Sequence, residues 1–279
     1  MNPPETNRGP MSRRNMLTGT AALLAAGSVG GGLAALAAAT EPRTEVPTGA
    51  PPLPWKWVRL DPLDAGRRAY RIYIEGGGCG TASYLSLLGM LKEKVGHPWT
   101  TLPDMMMSHA QAGYAGQGTL CGALGGVTTI VNLVTFGAKA DMSRQIIDRL
   151  FSWYAQQEFP TERFDDLSTM PKQIKVKAMS PLCHTSVSKW TLAAGAEVTS
   201  KAKKERCAKV AAEVVFITTQ AINEYFQGTW VPPVWTPSKQ IEHCVKCHGP
   251  DDMWQTKEGM NHQQGHMECL MCHTDHTKT

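Results

Sequence analysis

The sequence predicts a mainly α-helical protein, a helical scaffold domain followed by a small, irregular C-terminal module. Three observations carry this. Between residues 63 and 226 apolar side chains recur at helical spacing in segment after segment, and no run alternates as a half-buried strand would. Proline clusters bracket that part, with Pro42, Pro47, Pro51, Pro52, Pro54 and Pro62 before it and Pro232, Pro233 and Pro237 after it. Beyond residue 241 aliphatic side chains become scarce, while six of the nine histidines crowd into the last 39 residues. At 279 residues and 42% hydrophobic, the chain can bury an ordinary core.

Residues 1–39 read as a cleavable export signal. A polar start ends in Arg13-Arg14 before Met16 and Leu17, and an Ala/Gly-rich apolar stretch leads to small residues at Ala37 and Ala39. The paired arginines fit the twin-arginine (Tat) route, which exports cargo already folded. Gly27 and Gly30 to Gly32 weaken the stretch as a retained anchor, and no later segment is long enough to span a bilayer. The expected location is therefore the periplasm, with no stable membrane insertion after cleavage. Removing 1–39 takes away three arginines and one glutamate, leaving 25 basic against 23 acidic residues. Such a balance offers no attraction for nucleic acid or an anionic membrane.

Residues 40–62 are expected to form a proline-rich extended arm, anchored by Trp55 and Trp57 on a neighbouring surface. Helices are expected at 63–75, 79–95, 103–114, 119–136, 142–157, 184–194 and 199–226. The 119–136 segment is apolar nearly all round, as in a central buried helix. The last one presents Cys207, Val210, Val214 and Ile217 as a stripe. Prolines 232, 233 and 237 end it and separate the scaffold, 63–229, from the terminal module, 230–279.

That module cannot fold by burying its own side chains, so another apolar mass must fill it. Two motifs supply one: Cys244-Val245-Lys246-Cys247-His248 and Cys269-Leu270-Met271-Cys272-His273. C-x-x-C-H is the attachment signature of c-type haem. Two thiols three positions apart on a helical turn each reach a haem vinyl group, and the adjoining histidine is carried under the ring to ligate iron. Two haem c groups are therefore expected, with His248 and His273 as proximal ligands. A zinc ribbon shares the paired C-x-x-C but has no use for a histidine directly after each pair.

For the sixth iron positions the local histidines favour bis-histidine ligation. His262 and His266, spaced i, i+4, are the first candidates, and His243 and His276 come next. Met267 and Met271 are expected to pack on a ring. With 25 residues between attachment sites, the rings should lie close together.

Four cysteines stand alone: Cys79, Cys121, Cys183 and Cys207. Gly78 and Gly80 flank the first and Gly122 follows the second, letting backbone approach a bulky centre. A thiolate-ligated iron–sulfur centre or redox dithiol is one reading, and disulfides or buried free thiols are the others. His184 is either a further ligand or a helix-capping side chain.

These residues carry a resemblance. Gly78-Cys79, the run Gly116 to Gly126 around Cys121, Ser180-Pro181-Leu182-Cys183-His184 and Arg206-Cys207 resemble the C-GCAxxG-C-C family of redox proteins. With two haem motifs after them, nearly all the mature sequence is similar to the split-Soret cytochromes c. The resemblance implies a mostly helical scaffold, two stacked bis-histidine haems, a non-haem iron centre at the lone cysteines, and a homodimer that completes haem ligation across subunits. Here the family's central GCA element reads Cys79-Gly80-Thr81-Ala82, with the Gly and Cys order altered. The function expected is electron transfer between redox partner proteins. The rivals are a haem oxidoreductase acting on a small substrate, which needs a labile sixth position, and a zinc-bound interaction module.

Overall fold

The computed structural model describes residues 49–138, 142–231, 236–249 and 266–277; the expected export signal, the first part of the arm and His262 lie outside them. Seven α-helices dominate the described residues: α1 (Pro62–Ile72), α2 (Gly78–Lys94), α3 (Gly122–Thr135), α4 (Met142–Gln156), α5 (Cys183–Ala194), α6 (Lys201–Phe226) and α7 (Lys239–His248). The only ladder among them is the two-residue antiparallel pair β1 (Glu158–Phe159) and β2 (Val176–Lys177). No described helix is long and apolar enough to cross a membrane.

Local chemistry sets the helix ends. Asp61 caps α1 by accepting the Leu63 and Asp64 N–H groups, with Pro62 in the first turn. A π-helical turn, Tyr73–Gly77, joins α1 to α2 and breaks at Gly76, whose φ of +109° suits glycine. Ser200 and Ser238 cap α6 and α7 through their hydroxyls.

The core forms where α6 packs on α1, α2 and α3, with α2 and α3 also side by side. At Gly126 a Cβ would lie 2.1 Å from the Ser83 hydroxyl and 2.6 Å from the Gly80 carbonyl oxygen, so only glycine lets α2 and α3 approach this closely. The described residues of the proline-rich arm seal the core of their own chain. Trp55 donates its backbone N–H to the Leu133 carbonyl at 2.8 Å and meets Trp99 edge-on at 5.1 Å. The Trp57 indole donates to Asn223 Oδ1 at 3.1 Å, and the Asn223 amide also bonds both backbone groups of Leu60.

Buried charges on α6 hold the irregular segment 157–182 in place. Glu205 accepts hydrogen bonds from Tyr70, Ser168 and Thr169. Lys209 pairs with Asp165 and donates to the Met170 carbonyl. Glu213 takes Thr161 and Arg163. Each is at most 3% exposed.

The helix expected over 103–114 does not form. Apart from a single 3-10 turn, Ser108–Ala110, this stretch is a chain of turns that ends left-handed. Ala112, Gly113, Tyr114, Ala115 and Gly116 have successive φ values of +53°, +72°, +60°, +53° and +80°. Three of the five are not glycine, and each such residue costs about 1–2 kcal/mol. Tertiary seating outweighs local propensity here. The turn inserts Tyr114 against α3, where a Cβ on Gly125 would meet its hydroxyl at 2.2 Å, and it sets Ala110 against Gly80 of α2.

Two expectations follow. Asn223→Ala strands the Trp57 and Leu60 polar groups and should lower stability by about 2–3 kcal/mol in denaturant unfolding. Ala115→Gly, at an exposed left-handed position, should raise stability by about 0.5–1 kcal/mol in the same measurement.

Candidate functional site

The four lone cysteines come from four distant segments and meet at one cavity of about 260 Å³. Cys121 and Cys183 are joined by an antiparallel bridge between Leu120 and Leu182. Across it the Cys121 N–H donates to the Pro181 carbonyl at 2.9 Å, and the Cys183 N–H donates to the Thr119 carbonyl at 2.7 Å. Each segment then turns directly into a helix, with Cys121 at the N-cap of α3 and Cys183 opening α5. Cys79 is the second residue of α2. Three thiols therefore sit where helix N–H groups lack intrahelical partners and the helix dipole is positive. Cys207 faces them from α6.

Glycine at position 122 makes room for the Cys79 thiol. A Cβ at position 122 would lie 2.2 Å from the Ala110 carbonyl oxygen and 2.6 Å from the Cys79 sulfur. No disulfide joins any of the eight cysteines in this structure. Among the described residues no three Cys, His, Asp or Glu side chains converge closely enough for a single metal ion. The four lone thiols instead surround a space. His184 stands at the cavity edge, exposed.

Burial pushes the Cys79 thiol up to about 12, with the neighbouring Cys121 adding to the effect, while N–H groups of Ala112 and Gly80 work against it. Burial raises Cys121 and Cys183 as well, and Tyr154 and the Ala123 N–H oppose the rise at Cys121. The left-handed turn thus has a use, since it aims the Ala112 N–H at sulfur. One of the two cations lining the cavity is buried: Arg206, 1% exposed, donates to the Cys207 sulfur at 3.7 Å and to the Ser186 hydroxyl at 2.8 Å, while Lys203 is half-buried. Its Nε is buried without a hydrogen-bond partner. Four thiols, backbone N–H groups directed at the Cys79 and Cys121 sulfurs and a buried cation form a donor set that fits a thiolate-held iron–sulfur centre.

The second site lies in the tail. α7 buries Ile241 and Val245 on one side and turns Cys244, Cys247 and His248 into a second cavity, of about 510 Å³. The other motif makes a single helical turn, with the Cys272 and His273 N–H groups both donating to the Cys269 carbonyl. It is tied to the start of α7 by Leu270 N–H to Gln240 at 2.7 Å and by Ser238 to Glu268 at 2.9 Å. Cys269, His273 and His276 line the same cavity as the first motif, and so does His243. The His248 and His276 rings meet edge-on at 5.9 Å. Burial raises the Cys269 thiol, and Cys244 beside it adds to the rise. Local turn geometry and a shared cavity suit both motifs to haem attachment.

The histidine candidates separate. His243 and His276 line the cavity, whereas His266 does not, its Nδ1 lying 3.0 Å from the Asp148 carboxylate of α4. His262 lies outside the described residues. Met267 is exposed and Met271 half-buried. Sequence reasoning passed over Arg206, Ser186 and Tyr154 as parts of the thiol site. A signal was present for the first, since an arginine four residues before Val210 on an apolar stripe is a candidate buried cation.

Residues 85–221 match the model of the family described as "Putative redox-active protein (C_GCAxxG_C_C)". A curated relative, the split-Soret cytochrome c of Desulfovibrio desulfuricans, is 31% identical over 227 residues, covering 79% of this chain and 77% of the relative. A solved structure of split-Soret cytochrome c from the same species, described as containing a novel iron centre, superposes with a TM-score of 0.68 at 30% identity. It covers 79% of this chain and 90% of that one. On this likeness in sequence and fold, the chain belongs to the split-Soret cytochrome c family of C_GCAxxG_C_C redox-active proteins.

Proposed function

We propose that this chain is a periplasmic electron carrier with two closely spaced haem c groups in its tail, 230–279, and an additional iron–sulfur centre among Cys79, Cys121, Cys183 and Cys207. The observation that carries the reading is that both C-x-x-C-H motifs open onto one cavity. Each haem, when bound, supplies a one-electron iron couple. The protein's part is to tether it through Cys244 and Cys247 or Cys269 and Cys272, to ligate through His248 or His273, and to wall it from water.

Two six-coordinate irons need four axial nitrogens, and four imidazoles line the cavity: His243, His248, His273 and His276. His243 and His276 are thus preferred to His266, which Asp148 engages. An iron centre has been described for the related cytochrome of D. desulfuricans. The Tat-type signal suits it, because a cluster inserted in the cytoplasm requires export of a folded chain. A homodimer handing electrons to redox partner proteins completes the proposal.

Denaturation in acid and acetone should leave the red colour on the polypeptide, and metal analysis should find more than two irons per chain. Colour lost to the solvent would sink the haem assignment, and two irons alone would sink the cluster. Cys121→Ser should remove only the excess iron, leaving the haem spectrum intact. Since buried thiols hold their protons, iron must displace them, so the excess iron should be released as pH falls. His243→Ala and His276→Ala should each give a high-spin, carbon-monoxide-binding haem in the reduced absorption spectrum. His266→Ala should leave that spectrum unchanged, and the reverse pattern would restore His266 as the ligand.

A further inference from the structure

We infer that Arg206 is the built-in counter-ion of an anionic redox centre in the four-thiol cavity, and that it sets the potential of that centre. The inference rests on the iron reading above and adds the residue that tunes it.

An arginine side chain keeps its charge in any protein environment, and an isolated buried cation is costly. α6 shows how this protein ordinarily meets that cost. Lys209 has Asp165, Glu213 has Arg163, and Glu205 has three hydroxyl donors. Arg206 departs from the pattern. It is as deeply buried as the others, yet no ion pair joins it to a carboxylate among the described residues. Its polar contacts are the Ser186 hydroxyl and the Cys207 sulfur, and its Nε has no hydrogen-bond partner among the described residues. Cys207, Tyr154 and Cys121 line the same cavity as this guanidinium. The negative charge this guanidinium requires must therefore come from the cavity. Neutral thiols cannot provide it, whereas thiolates on iron can.

A cation fixed beside such a centre stabilises its more negative, reduced form more than its oxidised form. Reduction adds one electron, supplied in the experiment by dithionite. No bond forms or breaks, and Arg206 keeps its proton. Removing the positive charge should therefore make the centre harder to reduce.

The test is a dithionite titration of the full-length holoprotein, following the reduced cluster by electron paramagnetic resonance and the haems by absorbance. In Arg206→Gln the ratio of reduced to oxidised cluster at a fixed poise should fall about ten-fold, equivalent to about 59 mV for a one-electron couple. Arg206→Lys, which keeps the charge, should stay within about three-fold of the wild type, and the haem midpoints should not move. If Arg206→Gln fails to fold or to retain iron, Ser186→Asp replaces it. That variant leaves the guanidinium in place but neutralises it, and should produce a fall in the same direction. A wild-type protein with two irons and no cluster signal overturns the iron reading and this inference together. A cluster present with its midpoint unmoved in Arg206→Gln, or in Ser186→Asp where that variant stands in, overturns the counter-ion role alone.

Discussion

Burial of Glu205, Lys209 and Glu213 on α6 obliges each of these charged side chains to find a partner in the interior, and much of the structure is the answer to that demand. Residues 157–182 contain only a two-residue ladder and short turns, too little regular structure to hold a fixed course. They hold one because Glu213, Lys209 and Glu205 grip them in succession along α6. Removing one member of such a buried pair costs about 3–5 kcal/mol, since the other charge is left alone. The end of that segment delivers Cys183. The thiol cavity is thus placed by electrostatics on the far side of α6, as well as by apolar packing against α1, α2 and α3.

The same economy of partners explains the unusual backbone near the cysteines. Three helices start at the cavity, and their first N–H groups have no intrahelical acceptors. Sulfur accepts some of these bonds, and the left-handed turn at 112–116 adds the Ala112 N–H from the remaining side. Strain at Ala112, Tyr114 and Ala115 is tolerated because Tyr114 packs on α3 and Ala110 on α2. Strained backbone held by its surroundings is common where a site must present donors in a fixed direction.

How much of this was legible in the sequence depends on whether the information is local. Helices α1 to α6 were legible because their apolar residues repeat every three or four positions, and α6 even displayed its stripe. The 103–114 segment misled because Pro103 and the Met105 to Met107 run suit a helix locally. Positive φ at alanine and tyrosine is imposed by contacts with Gly80 and Gly125, which no spacing records. Cysteines at 79, 121, 183 and 207 carried no ligand spacing, and what unites them is the bridge between Leu120 and Leu182. Nothing local in the sequence records that they meet. In the tail each C-x-x-C-H motif was legible as a local unit, because its residues share a single helical turn. The i, i+4 spacing of His262 and His266 could not reveal that Asp148, 118 residues away, takes the second.

The two cavities differ in a way that bears on how the molecule is assembled. Cys121 is buried, and Cys79, Cys183 and Cys207 are partly so, in the interior of the scaffold. A centre held there has to enter before or while α2, α3, α5 and α6 close around it. In the tail the second cysteine of each motif, Cys247 and Cys272, is exposed. Thioether attachment there is sterically open after the scaffold has folded. Under the proposed function these accessibilities match two compartments: iron inserted with folding in the cytoplasm, export of the folded body, then haem attachment outside.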